Sequence, residues 1–190
     1  MATATVNGIQ LEALQQTIQE IQKKPEMARF KFKTSNQWID GMHNQAMVQN
    51  FVYANTEDQS RQTPLKYDED EPPLLLGHNQ GANPTEYVLV ALSGCLTSSL
   101  IAHAAAQGIQ LKSVESELEG DLDLRGFLGL SETVRNGYEG IRVKFKIESD
   151  APEEKIRELV QVAQQRSPVF DIVTHPVPVS VGYEYQKVNR

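Results

Sequence analysis

The chain has 190 residues, a formal net charge of -7, 39% hydrophobic and 23% charged residues, and a single cysteine, Cys95. That length suggests one domain or two small ones and can bury a core unaided, while one cysteine excludes an intrachain disulfide framework and a Cys-rich zinc site. The acidic balance argues against a generic nucleic-acid binder and against docking on an anionic membrane; with no evident apolar span or secretory leader and an unpaired thiol, the expectation is a soluble cytoplasmic protein.

Leu11, Leu14, Ile18 and Ile21 put one apolar stripe on a helix over residues 8 to 24, with Asn7 as candidate N-cap and Pro25 as terminator. Phe30, Phe32 and Trp38 mark a strand over 29 to 39, and Asp40-Gly41 signals a hairpin turn. Met47, Val48, Phe51, Val52 and Tyr53 suggest the returning strand. Residues 54 to 73 are polar and end in the acidic run Asp68 to Glu71, read as a solvated linker or strand edge.

Asn83 is a candidate N-cap, Pro84 fits the first helical position and Glu86 completes a capping box. The helix they open runs through Ala106 to a stop at Gly108 and is apolar on nearly all faces in its first half, which predicts a buried central helix. A strand through Leu111, Val114 and Leu118 and a Gly-rich irregular stretch over 120 to 140 follow. Ile141, Val143, Phe145 and Ile147 then alternate with Arg142, Lys144 and Lys146, as in a half-buried strand. A second helix is expected from Pro152 to Pro168, and a last strand over about 177 to 185. The order is that of an α+β fold.

From residue types alone, Cys95 reads as a buried helix cysteine, too far from the helix start for dipole activation. Glu86 stands nine residues earlier, on the opposite side and about 13 Å away along the axis, which favours capping over contact with the thiol. His43, His78, His103 and His175 are dispersed without metal-ligand spacing. No dinucleotide fingerprint, phosphate loop or serine nucleophile motif is present.

The pattern Asn83-Pro84-x-Glu86-x-x-Leu89-x-Ala91-Leu92-x-x-Cys95 resembles the OsmC/Ohr superfamily. So do Asp70 to Pro73, Leu75 to Gly77, Asp123 to Gly129, Val134 to Gly137 and Ser167-Pro168-Val169. The resemblance covers about residues 29 to 186, with 1 to 28 as an N-terminal helical extension and 187 to 190 as a tail. It implies two antiparallel sheet halves wrapped around a long central helix in an intertwined homodimer. The family's peroxidases reduce organic hydroperoxides with a reactive cysteine, a resolving cysteine and a dithiol reductant, assisted by an Arg of the first hairpin and a Glu directly after Asn-Pro.

Matched residue by residue, Cys95 takes the reactive position and Ser167 the resolving one. Thr85 replaces the assisting Glu, and Glu86 matches the Glu of another branch. His43 falls where the Arg would be, with Arg29 and Arg61 as possible substitutes. Serine forms no disulfide, so the resemblance implies a single-cysteine branch recycled by an external thiol. The resulting expectation is an OsmC-like thiol protein reducing organic hydroperoxides through Cys95, with His43 and Glu86 assisting and with neither cofactor nor metal. The alternatives are a non-catalytic dimer binding a small apolar or electrophilic ligand at the subunit interface, and a purely structural Cys95 with function elsewhere, as on the 120 to 140 loop.

Overall fold

The computed structural model describes residues 5–188. It opens with a tight hairpin, β1 (Thr5–Val6) and β2 (Ile9–Gln10), turned by Asn7 and Gly8 at φ of 52° and 80°. Asn7 is therefore not the expected N-cap. Its side-chain amide donates to the Ile109 carbonyl at 2.9 Å and its oxygen accepts from the Leu111 N–H at 2.8 Å, which fixes the hairpin to a distant turn. The first helix, α1 (Leu11–Lys23), starts only after this hairpin and buries no residue in its own chain. A 3-10 turn over Pro25–Ala28 ends the extension.

β3 (Phe30–Phe32), β4 (Ser35–Asp40), β5 (His43–Val48), β6 (Phe51–Tyr53), β7 (Thr56–Asp58) and β8 (Leu65–Glu69) form two small antiparallel sheets, ordered β3-β6-β7 and β4-β5-β8. The Asp40-Gly41 turn forms as its chemistry predicts, with Gly41 at φ 54°. Both strands expected of this region are split in two, and the polar stretch, read as a linker or strand edge, supplies β7 and β8 at the edges of the two sheets. Residues two apart share a face of a strand. Phe30 and Phe32 therefore meet their register partners Tyr53 and Phe51, in a cluster with ring centroids 4.7 to 6.0 Å apart.

The acidic run is not solvated throughout. Asp70 is 1% exposed, because the loop after it curls back and satisfies the carboxylate. Its oxygens accept from the N–H groups of Glu71 at 2.8 Å, His78 at 2.9 Å and Gln80 at 3.1 Å. Burial pushes this carboxyl up, but the three N–H bonds outweigh burial and hold it below the ordinary carboxylate value. A group lowered in the folded state stabilises the fold above its unfolded value, and that contribution disappears as pH falls through the folded value. Asp70→Asn is therefore expected to lower the melting temperature at neutral pH, with the deficit shrinking as pH drops below about 4. Thermal melts from pH 7 to pH 2 check this; a deficit independent of pH contradicts it.

The central helix is α2 (Pro84–Ala106). Asn83 caps it as expected: Oδ1 accepts from the Thr85 N–H at 2.7 Å, and Glu86 Oε2 accepts from the Asn83 N–H at 2.8 Å. Gly108 at φ 69° follows its end. Leu92, Leu96, Leu100, Ala104 and Ala105 are its buried stripe, packed toward the later strands and helices. Among the described residues it is the one helix long and apolar enough to cross a membrane by length and composition, which corrects the expectation that no segment reaches that length. Its seat against the rest of the chain makes it a core helix, yet only 28% of its most apolar window is buried there.

β9 (Leu111–Asp121) and β10 (Gly140–Ser149) pair antiparallel. Glu115, Glu117 and Glu119 stand opposite Lys146, Lys144 and Arg142 on the outer face, an arrangement that disfavours alternative registers. Between them runs the irregular stretch with one turn of helix, α3 (Leu124–Phe127). α4 (Glu153–Arg166) begins after Pro152 as predicted. Pro168 ends it but also opens a further helix, α5 (Pro168–Thr174), which the sequence reading missed.

The α+β class with a long central helix is as expected. The strand expected over 177 to 185 is absent: this segment pairs with no strand among the described residues, and Val181 is 94% exposed. A compact single chain of 21.3 kDa exposes about 9,100 Å². This one exposes 14652 Å², roughly 5,500 Å² more.

Candidate functional site

Cys95 sits midway along α2, partly buried and unpaired. Among the described residues nothing hydrogen-bonds its sulfur. It stands three residues past Leu92 and seven past Val88, so the three share one flank of the helix, with about 4.5 Å of axial rise between Leu92 and Cys95. Val88 and Leu92 belong to a cleft of about 380 Å³. Its other walls are Ile141 and Val143 of β10 and Phe170 and Val173 of α5, with Arg135 and Glu139 as its charged lining. The cleft is apolar and of ligand size. Three elements distant in sequence build it, so periodicity within any one of them could not reveal it.

The remaining candidates are placed as follows. Glu86 is engaged at the helix start through its bond to the Asn83 N–H. Thr85 donates its hydroxyl to Asn83 Oδ1 at 2.6 Å, and its carbonyl accepts from the Tyr138 hydroxyl at 3.0 Å. Tyr138 thereby ties the irregular loop to the start of α2. Ser167 is buried and caps α5, its Oγ accepting from the Phe170 N–H at 3.2 Å. This capping role gives serine a physical reason to stand there.

His43 lies on β5, where its Nε2 pairs with Asp68 Oδ1 at 2.9 Å. Asp68 also accepts from Gln45 Nε2 at 3.0 Å, and these two bonds hold its carboxyl below the ordinary value. Its backbone carbonyl accepts from the Tyr87 hydroxyl of α2 at 2.9 Å, which joins the sheet to the central helix. Burial pushes the Tyr87 phenol up. The His43–Asp68 pair carries no local sequence signal, because it arises from the register of β5 against β8. Arg61 is engaged by the Gln49 carbonyl at 3.2 Å and lies over the Phe51 ring, 5.6 Å from its centroid. Arg29 lies just before β3, exposed. In the irregular loop, Arg125 grips Asp123 with two nitrogens and holds its carboxyl down at about 2. No cluster suited to hold a metal occurs among the described residues.

The family model for OsmC-like proteins matches residues 77–182, which include the central helix, Cys95, all three cleft walls and Ser167. The chain belongs to the OsmC-like protein family. Solved structures share its fold. An OsmC-like protein from Mycoplasma pneumoniae superposes with a TM-score of 0.59 at 17% identity, covering 77% of this chain and 89% of that one. A Legionella pneumophila protein described as the organic hydroperoxide resistance protein OsmC does so with a TM-score of 0.53 at 19% identity, covering 75% and 90%. At these identities the likeness concerns the fold. No curated protein sequence matches. In this OsmC-like protein the recognisable parts of the helix start are engaged in capping, and the thiol is left beside an apolar cleft.

Proposed function

We propose that the protein is a homodimeric, single-cysteine peroxidase that reduces organic hydroperoxides and is recycled by a monothiol. The observation that carries this reading is the position of Cys95 one helical turn past the apolar cleft. An organic group resting on Val88 and Leu92 would present a terminal peroxide oxygen to the sulfur. As the thiolate attacks that oxygen, an S–O bond forms and the O–O bond breaks. The alkoxide leaves and takes a proton, so the peroxide becomes an alcohol and Cys95 a sulfenic acid. A small thiol then attacks the sulfenic sulfur, releasing water and forming a mixed disulfide. A second thiol exchanges with it, releasing the oxidised thiol and restoring Cys95. Ser167 takes no part in electron transfer, so both reducing equivalents come from outside, which suits the reducing cytoplasm.

The dimer is supported by the exposed area and by Gly94. Glycine inside a helix costs about 1 kcal/mol relative to alanine. A Cβ at Gly94 would meet nothing in its own chain, so no intrachain contact offsets that cost. Close approach of a second copy along the outer face of α2 accounts for it. In this reading the dimer brings a His43–Asp68 pair to the thiol. With Nε2–H held by Asp68, the other ring nitrogen accepts the proton. Glu86 contributes by fixing the start of α2.

The test is consumption of cumene hydroperoxide by the full chain with glutathione as reductant. Turnover that depends on both protein and thiol supports the reading. Consumption no faster than without protein contradicts it, and a thermal shift with the corresponding alcohol under those conditions favours the non-catalytic ligand-binding alternative.

A further inference from the structure

We propose that α1 is an arm that packs its apolar seam onto a second copy of this chain. Leu11, Leu14, Ile18 and Ile21 recur at three, four and three, which sets them on one narrow stripe. None is buried in its own chain, and Ile18 is 46% exposed. The main contacts of α1 are to β2 and the Pro25–Ala28 turn, its immediate neighbours in sequence. A helix of 13 residues, about 20 Å long, is marginal alone in water and needs a surface to hold it.

The base of the arm is fixed. Val6 is buried, and Asn7 grips Ile109 and Leu111 just beyond the end of α2. The seam is thus presented from a defined point rather than from a loose tail. Its occupant follows from charge and area. The polar side of α1 is mostly glutamine, with Glu12, Glu20 and Lys23, which is unlike the Lys- and Arg-rich face of a helix that lies on lipid. The chain exposes roughly 5,500 Å² beyond a compact monomer. That is several times the 800 Å² or so per partner of a standard interface. Phe30 and Phe32, 50% and 70% exposed, come just after the Pro25–Ala28 turn that ends the extension and add exposed apolar surface to the chain. The inference rests on the homodimer proposed above but is separable from it, because α2 could join two copies with α1 left free.

The test uses the full chain carrying Leu14→Glu and Ile18→Glu, beside a control with Gln16→Glu and Gln19→Glu on the polar side. In sedimentation equilibrium the seam variant is expected to raise the dimer dissociation constant by about 1,000-fold or more, since four apolar side chains per dimer lose their burial. The control stays within a few-fold. Amides of α1 in the wild type are expected to exchange slowly with deuterium above the dimer concentration, and rapidly on dilution below it. That wild-type readout decides the matter even if the seam variant fails to fold. A dimer of unchanged affinity in the seam variant, or α1 amides indifferent to dilution, overturns the arm and leaves the dimer standing. A wild type that is monomeric at high concentration overturns both.

Discussion

Replacing Cys95 by serine is expected to bring thiol-dependent consumption of cumene hydroperoxide down to the uncatalysed background, a loss of about 1,000-fold or more. A serine hydroxyl remains protonated at neutral pH and lacks the nucleophilicity of a thiolate. The chain holds one cysteine, so no second thiol can take over. Folding is expected to survive the exchange. The sulfur is partly buried and makes no hydrogen bond among the described residues, so the melting temperature should move by no more than a few degrees. An unchanged rate with an unchanged melt would place the activity elsewhere in the molecule.

Gly81→Ala and Gly77→Ala are expected to cost about 3 kcal/mol or more each, at the severe end for overpacking. A Cβ on Gly81 would stand 1.9 Å from the Asp68 carbonyl oxygen and 2.8 Å from the Glu69 nitrogen. On Gly77 it would stand 1.9 Å from the Glu71 carbonyl oxygen. Both obstacles are backbone, which no side-chain rotation relieves. The same loop carries N–H groups that satisfy the Asp70 carboxylate and leads into the Asn83 cap, so spreading it strips a buried carboxylate of its partners and misplaces the start of α2. Gly140→Ala is the control: its Cβ would meet nothing within 4 Å. Melting temperatures roughly 10 °C lower for the two loop variants, with Gly140→Ala near wild type, bear this out. Loop variants as stable as the control would show that the backbone yields there at little cost.

What could be read before the structure was local chemistry. The cap of α2 was legible because its parts lie within one turn: Asn83 accepts from the Thr85 N–H, Glu86 accepts from the Asn83 N–H, and Pro84 has no N–H to satisfy. β10 was legible from its alternation, and the β4–β5 hairpin from Asp40-Gly41. What was not legible depended on distant partners. Asn7 reads as a cap until the fold brings Ile109 to it. Asp70 reads as solvated until a loop closes over it, and α5 is too short for a period to show. The 177 to 185 segment has strand periodicity, but no strand edge among the described residues pairs with it. Within the site, the place of Cys95 on the central helix was legible. The cleft beside it was not, because α2, β10 and α5 each supply only part of its wall.

The most direct measurement of the central claim is the intact mass of the protein after one equivalent of cumene hydroperoxide, read with and without dimedone and then after glutathione. The account predicts a gain of one oxygen atom confined to Cys95, trapped by dimedone as a sulfenic acid and reversed by glutathione through a mixed disulfide. A native protein whose mass is unchanged by the peroxide, while the unfolded chain takes up the oxygen, would contradict it.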